Sequence, residues 1–324
     1  MKDLRWLHAL GPVIALILLI IIGALLNPQF LAPANVVNVL ARSAFIGIIA
    51  VGMTFVITSG GLDLSVGSMA AFIAGMAILA MNALVPIMGV NWGTVLAGMS
   101  IALAGGLVAG LLNGLLVTRA GIEPFIVTLG TMGIFRSLVT WIADGGTVSL
   151  DSGLRTLYRP VYYSGIGYVT WPIVVFALVA IGGHVLMRHT RFGRYVEAIG
   201  SNDKVARYSS VDVGRIQLMT YVLLGLLVGL ATVIYIPRLG SASGSTGIGW
   251  ELEAIAAVII GGTALKGGRG IVWGTVVGVL ILSLIDNILN LADLVSPYLN
   301  GAIQGVIIVL AVVLQREKRT ADTR

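Results

Sequence analysis

Residues able to do chemistry are scarce in this 324-residue chain, which has 14 Asp and Glu, three His and no Cys. Without cysteine, disulfides, thiolate metal sites and cysteine nucleophiles are excluded. His8, His184 and His189 form no H-E-x-x-H pair, and no paired acids stand at helical spacing. Hydrolase and metalloenzyme chemistry therefore have no constellation to rest on, and neither a catalytic residue nor a metal site is expected. The segment GGTALKGGRG has glycines and a lysine but lacks both the G-x-x-x-x-G-K-[ST] spacing and a strand–helix setting, so the chain cannot hydrolyse ATP by itself.

Two polar junctions remain. In SGGLDLSVGS, Ser59 to Ser68, Asp63 is wrapped by Gly60, Gly61, Ser65 and Gly67. An Asp just ahead of a helix accepts hydrogen bonds from free N–H groups, here those of Ser65 and Val66, and its charge suits the helix dipole. Gly60 and Gly61 allow the tight turn this needs. The same residues also suit a helix break inside the protein, where polar backbone lines a cavity. The second junction, SASGSTGIGWELEAIAA, is again rich in Gly and Ser and opens a helix with Glu251 and Glu253; Gly261 and Gly262 break its far end.

The elements that must position these junctions follow from composition. The chain is 57% hydrophobic and 10% charged, with a mean hydropathy of +1.00, whereas soluble domains carry about 25% charged residues. It lacks the polar surface to face water on all sides and is expected to be an all-α, polytopic bundle lying in membrane lipid as one transmembrane domain, residues 1–324. Apolar windows of about 20 residues fall near 10–27, 36–58, 64–83, 92–118, 124–143, 169–187, 216–236, 250–265, 271–290 and 298–315. Lys2 and Arg5 precede the first without a cleavage site, as in an uncleaved first helix. With ten spans and both ends inside, fifteen of the twenty Lys and Arg lie on inner segments, the bias expected of cytoplasmic loops. Arg42, Arg155, Arg159 and Arg238 are the four outside, and Arg136 falls within a span. The net charge of +6 is thus a topology signal and not a sign of nucleic acid. Trp6, Trp92, Trp141, Trp171 and Trp250 fall at span ends, where indoles meet the interface.

Gly106, Gly110 and Gly114 share one helical ridge; Gly225 with Gly229 and Gly274 with Gly278 repeat the spacing. Small residues every four positions let helices pack closely within the bundle. The two polar junctions lie five spans apart, on opposite sides of the membrane by this count, as in an inverted five-plus-five repeat. Two loops are long: Asp144 to Tyr168 outside, about 144–168, and Arg188 to Arg215 inside, about 188–215. In the latter, Asn202 and Asp203 open a short helix with Val205 and Tyr208 roughly on one side and Lys204 and Arg207 on the other. Such a helix lies at the lipid interface or docks on a partner; composition leaves both open.

GMTFVITSGGLDLSVGS, PFIVTLGTMGIFR, RHTRFGRYVEAIGSNDKVARYS and ELEAIAAVIIGGTALKGGRG, in that order, resemble the permeases of the ribose/galactose/arabinose class of bacterial ABC importers, from about Asn35 to Val313. The resemblance implies a multi-pass subunit of the bacterial cytoplasmic (inner) membrane that forms a pathway for a monosaccharide or small polyol. It implies pairing with a second permease copy or paralogue, cytoplasmic ATPase subunits that bind ATP and Mg, and a periplasmic binding protein. No cofactor is implied on this chain. Gly200, Ser201, Asn202, Asp203, Lys204, Ala206 and Arg207 match the family's coupling segment, with Ser201 where members often carry a second glycine and Ser210–Val211 where they often carry Gly-Ile. The fifth span is implied to line the pathway, which places Phe125, Thr128 and Met132 near it. An ion-coupled carrier, keyed on Asp286 and then Asn287 within the ninth span, is the alternative.

Overall fold

The computed structural model describes residues 3–292 and several positions between 299 and 306, with side chains from Gly11 onward. In order, the elements are α1 (Asp3–Leu26), a 3-10 turn (Pro28–Leu31), α2 (Pro33–Thr58), α3 (Val66–Met88), α4 (Trp92–Thr118), α5 (Pro124–Ile142), β1 (Thr147–Ser149), α6 (Ser152–Tyr158), α7 (Pro160–Tyr163), β2 (Gly165–Ile166), β3 (Val169–Thr170), α8 (Trp171–His189), α9 (Arg191–Ser201), α10 (Asp203–Tyr208), α11 (Val213–Leu239), β4 (Ser241–Ser243), α12 (Trp250–Ile260) and α13 (Val272–Ala292). Seven of these, α2, α3, α4, α5, α8, α11 and α13, are long and apolar enough to cross a bilayer. The apolar part of α1, Gly11–Leu26, is shorter. Most of the window at 298–315, the cations Arg316, Lys318, Arg319 and Arg324, and the side chains of Lys2, Arg5, Trp6 and His8 lie outside the described residues. The eighth window is not a span-length helix. α12 has 11 residues, about 16 Å at 1.5 Å per residue, against a hydrocarbon core of about 30 Å.

α2 is the centre of the bundle. From Ser43 to Ser59 every residue is buried, as expected of a helix apolar on all faces. α8, α11, α12 and α13 surround it. Water drives no association between helices in lipid, so contact area must come from close backbone approach. The glycine ridges supply it inside the chain. A Cβ on Gly106 would overlap the Gly225 carbonyl and one on Gly110 the Tyr221 carbonyl, so α4 and α11 touch backbone to backbone. Gly274 and Gly278 of α13 do the same against Gly261 and Ala257. Hydroxyls add to this: Thr54 of α2 and Thr275 of α13 share a buried hydrogen bond of 2.8 Å.

Both long loops are structured. At one end of the bundle, β1 pairs antiparallel with β4 through Val148 and Ala242. The Tyr158 hydroxyl donates to the Val233 carbonyl of α11 at 2.7 Å, and Asn82 of α3 donates to Ser149 O and accepts from Asp151 N. At the other end, α9 precedes the anticipated α10. Asn202 caps α10 by accepting from Val205 N at 3.1 Å. The division of α10 into faces differs from the sequence reading: Val205 and Tyr208 are both exposed, and Ala206 packs inward with Ile199 and Val213. Trp92, Trp141 and Trp171 are exposed at helix ends. Trp250 is not an interface residue; its ring stacks on Phe45 at 6.1 Å and meets Tyr235 edge-on at 5.0 Å.

Gly106→Val inserts a branched side chain where the α11 backbone stands, and overpacking typically costs about 1–3 kcal/mol. The thermal midpoint of the purified protein in detergent is expected to fall clearly. Gly182→Ala in α8, where an added Cβ meets nothing within 4 Å, is expected to leave it unchanged or raise it.

Candidate functional site

The Asp63 junction forms because α2 cannot continue past its own glycines. Gly60 adopts φ +86°, which side chains disfavour, and the chain turns back into the bundle before α3 begins. Asp63 is 1% exposed. Its Oδ1 accepts from Ser65 N at 2.8 Å and Ser65 Oγ at 2.6 Å, and its Oδ2 accepts from Asn113 Nδ2 of α4 at 3.1 Å. Asn113 Nδ2 also reaches Ser65 Oγ at 2.9 Å. Burial pushes the Asp63 carboxyl above its ordinary range, against the pull of these hydrogen bonds. The expected bond from Ser65 N is present but none comes from Val66 N: α3 is preceded by Ser65 with no side-chain cap, so Asp63 braces the turn ahead of the helix, and it adds a tie to α4 that the spacing within SGGLDLSVGS could not reveal. The turn is further held by Tyr221 of α11, whose hydroxyl donates to Leu62 O at 3.2 Å; a Cβ on Gly61 would come 2.7 Å from that hydroxyl.

The second junction meets the first. The two had been placed on opposite sides of the membrane; in the structure the Gly247 carbonyl occupies the space a Gly67 side chain would need, and Glu251 Oε2 would lie 2.7 Å from it. The reason is the loop before α12. Gly247 and Gly249 have φ of +70° and +85°, and Arg136 of α5 donates to the carbonyls of Gly244 and Thr246. The loop therefore runs inward before α12 starts. Glu251 Oε2 is buried there without a hydrogen-bond partner. Glu253, on the same helix, lies within electrostatic reach of Asp286 and Arg42. At the far end of α12, Gly262 has φ +88° and turns the chain toward α13.

A third set of motifs converges on the last turn of α2. The Thr58 carbonyl, one of the orphan acceptors of a helix C-terminus, accepts from Gly268 N at 2.9 Å. A Cβ on Gly200 would overlap that same carbonyl. Glu197 of α9 accepts from Gly270 N at 3.3 Å, and Arg188 donates to Gly270 O at 3.2 Å and pairs with Glu197 at 3.4 Å. α9, the α12–α13 turn and the end of α2 are thus one hydrogen-bonded unit. Asn202, Asp203, Lys204 and Arg207 are exposed beyond it, with Arg207 4.0 Å from Asp203.

On α5, Phe125 is exposed and Met132 half-buried, whereas Thr128 is buried and its hydroxyl donates back to Pro124 O at 2.8 Å. Further along the helix, Arg136, Ser137, Thr140, Trp141, Asp144 and Gly145 line a cavity of about 430 Å³. Sequence reasoning passed over Asn113, Thr58 and Glu197. Asn113 left a signal, being the only polar side chain of Gly105–Val117, in an otherwise apolar span. Thr58 acts through its backbone and left none.

Apolar helices of spanning length and polar junctions closed inside the bundle define a multi-pass α-helical membrane protein. The comparisons carry this further. Residues 35–312 match the family described as the branched-chain amino acid transport system / permease component. The ribose import permease protein RbsC of Bacillus subtilis (strain 168) is 41% identical over 96% of this chain and 94% of its own. The Escherichia coli (strain K12) RbsC is 37% identical over 97% and 95%, and the D-allose transport system permease protein AlsC of the same strain is 34% identical over 93% and 89%. The chain belongs to this family of transport-system permease components, and the resemblance carried by its four motifs holds.

Asp63→Asn keeps the acceptor facing Ser65 and presents an amide to Asn113, whose own amide can turn to accept from it because Asn113 Oδ1 has no partner. The folded protein is expected to lose less than about 1 kcal/mol, since Asn and Asp both accept from the backbone N–H two residues on and a neutral hydrogen bond contributes about 1 kcal/mol. Asp63→Ala removes the acceptor of three donors, Ser65 N, Ser65 Oγ and Asn113 Nδ2, and is expected to cost about 1–3 kcal/mol. Thermal midpoints of the two variants in one detergent check the order.

Proposed function

We propose that this chain is the pathway-forming permease subunit of an ATP-driven importer for a monosaccharide or similar small polyol in the bacterial cytoplasmic membrane. Its partners in this reading are separate ATPase subunits, which hold ATP and Mg, a soluble substrate-binding protein, and a second copy or paralogue of the chain. The cargo class rests on the names of the relatives, which specify ribose and allose. The family's own description names another cargo, so membership alone does not select the sugar.

The observation that carries the coupling is the unit at Thr58. Gly200 closes against the α2 terminus, and Gly268 donates to it. A force applied to Asn202–Arg207 by a partner reaches three places through short polar links: the end of α2, the Asp63 turn that follows it, and the turn leading into α13. Such links transmit displacement because packed backbones are bistable and not continuously deformable. In this reading the chain is one permease domain with cytoplasmic ends and ten membrane segments built as an inverted five-plus-five repeat, the eighth made of α12, too short to cross alone, together with the inward-running loop before it. The paired contacts of α2 with α13 and α11 with α4, each closed by small or hydroxyl residues, support that arrangement. The pathway follows α5, past Phe125 and Met132 to the cavity that Arg136, Ser137, Thr140 and Asp144 share with Trp141, since charged groups are costly against lipid; Thr128 supports the helix from its inner side.

The ion-coupled alternative draws on Asp286, near Glu253. Its second candidate is committed elsewhere: Asn287 and Asn35 exchange two amide hydrogen bonds of 2.9 Å.

Replacing Asn202 by Ala removes the cap of α10, and reversing Lys204 and Arg207 to Glu opposes an anionic partner surface. Substrate uptake and co-purification of the ATPase are expected to fall about tenfold or more while the chain still inserts in the membrane. Normal co-purification of the triple variant would refute the coupling assignment.

A further inference from the structure

The outward face of α8 ends on a polar cluster that the unit at Thr58 uses only in part. Leu178, Ile181, Gly182 and Val185 recur at the spacing of one helical stripe and are exposed. A Cβ on Gly182 would meet nothing within 4 Å, so the stripe has an open notch. It runs into Arg188 and His189, both exposed in the last turn of α8. The half-buried His184 ring lies 6.0 Å from the His189 ring and 5.8 Å from that of Trp273, the exposed second residue of α13. Arg188 reaches across to Gly270 O at 3.2 Å, next in sequence to the exposed Arg269. Arg191, also exposed, opens α9 two positions beyond His189.

Positive charge is in excess here. Among the described residues the ion pairs are Arg188–Glu197 and Arg207–Asp203, and Arg188 shares Glu197 with Gly270 N. Arg191 and Arg269 make neither a salt bridge nor a side-chain hydrogen bond. The carbonyls that end α8 offset only about half a charge. His184 stands five residues inward of His189, about 8 Å along the helix. A polar ring at the edge of a face turned to lipid is costly unless something polar meets it, and an indole beside it belongs at headgroup depth.

We infer that His184, Arg188, His189, Arg191, Arg269 and Trp273 form a binding site for the headgroup of an anionic phospholipid, with an acyl chain laid along the α8 stripe. Toward the end of α8 the polarity changes in the order that such a lipid presents. Apolar side chains come first, then imidazole and indole N–H groups at the depth of the esters, then guanidiniums at the depth of the phosphate. A free phosphate has no use for the stripe. A soluble protein cannot reach His184 and Trp273, which lie within helices long enough to span. Arg188 also belongs to the unit at Thr58, so the bound lipid braces the α9 end of the bundle. The site does not depend on the chain being an importer subunit.

The test uses the full chain purified in detergent, with native mass spectrometry following retention of phosphatidylglycerol and phosphatidylcholine. The wild type should retain phosphatidylglycerol about tenfold better, and Arg191→Gln with Arg269→Gln should cut that preference to about twofold or less. Arg191→Lys with Arg269→Lys should keep most of it; loss in this folded Lys pair would overturn the inference even if the Gln pair failed to fold. Lys204→Gln with Arg207→Gln removes the same charge from the exposed α10 and should leave the preference in place. An equal drop in both Gln pairs would show attraction to the whole charged end and overturn the site. Phosphatidylglycerol brominated on its acyl chains, in nanodiscs, should quench the fluorescence of the wild type more than that of Trp273→Phe. Equal quenching would overturn the placement beside α13. Displacement of the lipid by inorganic phosphate at constant ionic strength would assign the cluster to a soluble anion instead.

Discussion

The hydrogen bond from Gly268 N to the Thr58 carbonyl closes the end of a helix that has no access to water. Every backbone group buried in a membrane protein must find a partner inside it, and α2, enclosed from Ser43 to Ser59, meets that demand at its last turn by recruiting distant chain. The partner must approach backbone to backbone. Gly200 and Gly267 both stand where an added Cβ would crowd Thr58 O. Satisfying one carbonyl has thereby joined α2 to the α9–α10 loop and to the turn before α13.

The same constraint accounts for the polar junctions. Seven residues, 59–65, lie between α2 and α3; Asp63 accepts from Ser65 N and Tyr221 donates to Leu62 O there, and Asn113 in turn holds the Asp63 carboxylate. Where β4 leads to α12, Arg136 takes up two carbonyls. Irregular backbone is tolerated at such depth only where protein surrounds it. The two irregular stretches lie against each other at Gly67 and Gly247, so movement of either is felt by the other. Under the proposed function this contact would let a small displacement at the α9–α10 end reach both junctions.

The charged ends follow a different rule. The α9–α10 end keeps Lys204 and Arg207 exposed on a helix too short to be stable alone, held only by the Asn202 cap and by Ala206 packing on Ile199 and Val213. At the opposite end, Arg159 and Arg238 are ordered by aromatic rings and not by acids. Aromatic support fixes orientation without neutralising charge.

Apolar periodicity and length determined the membrane class, and the α4–α11 packing was legible in the glycine spacing, because four-residue repeats place small residues on one face whatever the partner helix is. The cap at Asn202 and the contact of Asp63 with Ser65 N were legible for a similar reason, being local geometry. Tertiary structure decided the rest. That α12 begins only at Trp250 depends on a loop held inward by Arg136, more than a hundred positions away. That the junctions touch, that Trp250 joins an aromatic cluster and that Thr128 turns inward all depend on which helices become neighbours. Hydropathy measures how much of a helix avoids water; it does not distinguish lipid from protein as the medium that replaces it, and in this chain that distinction places every polar residue of the site.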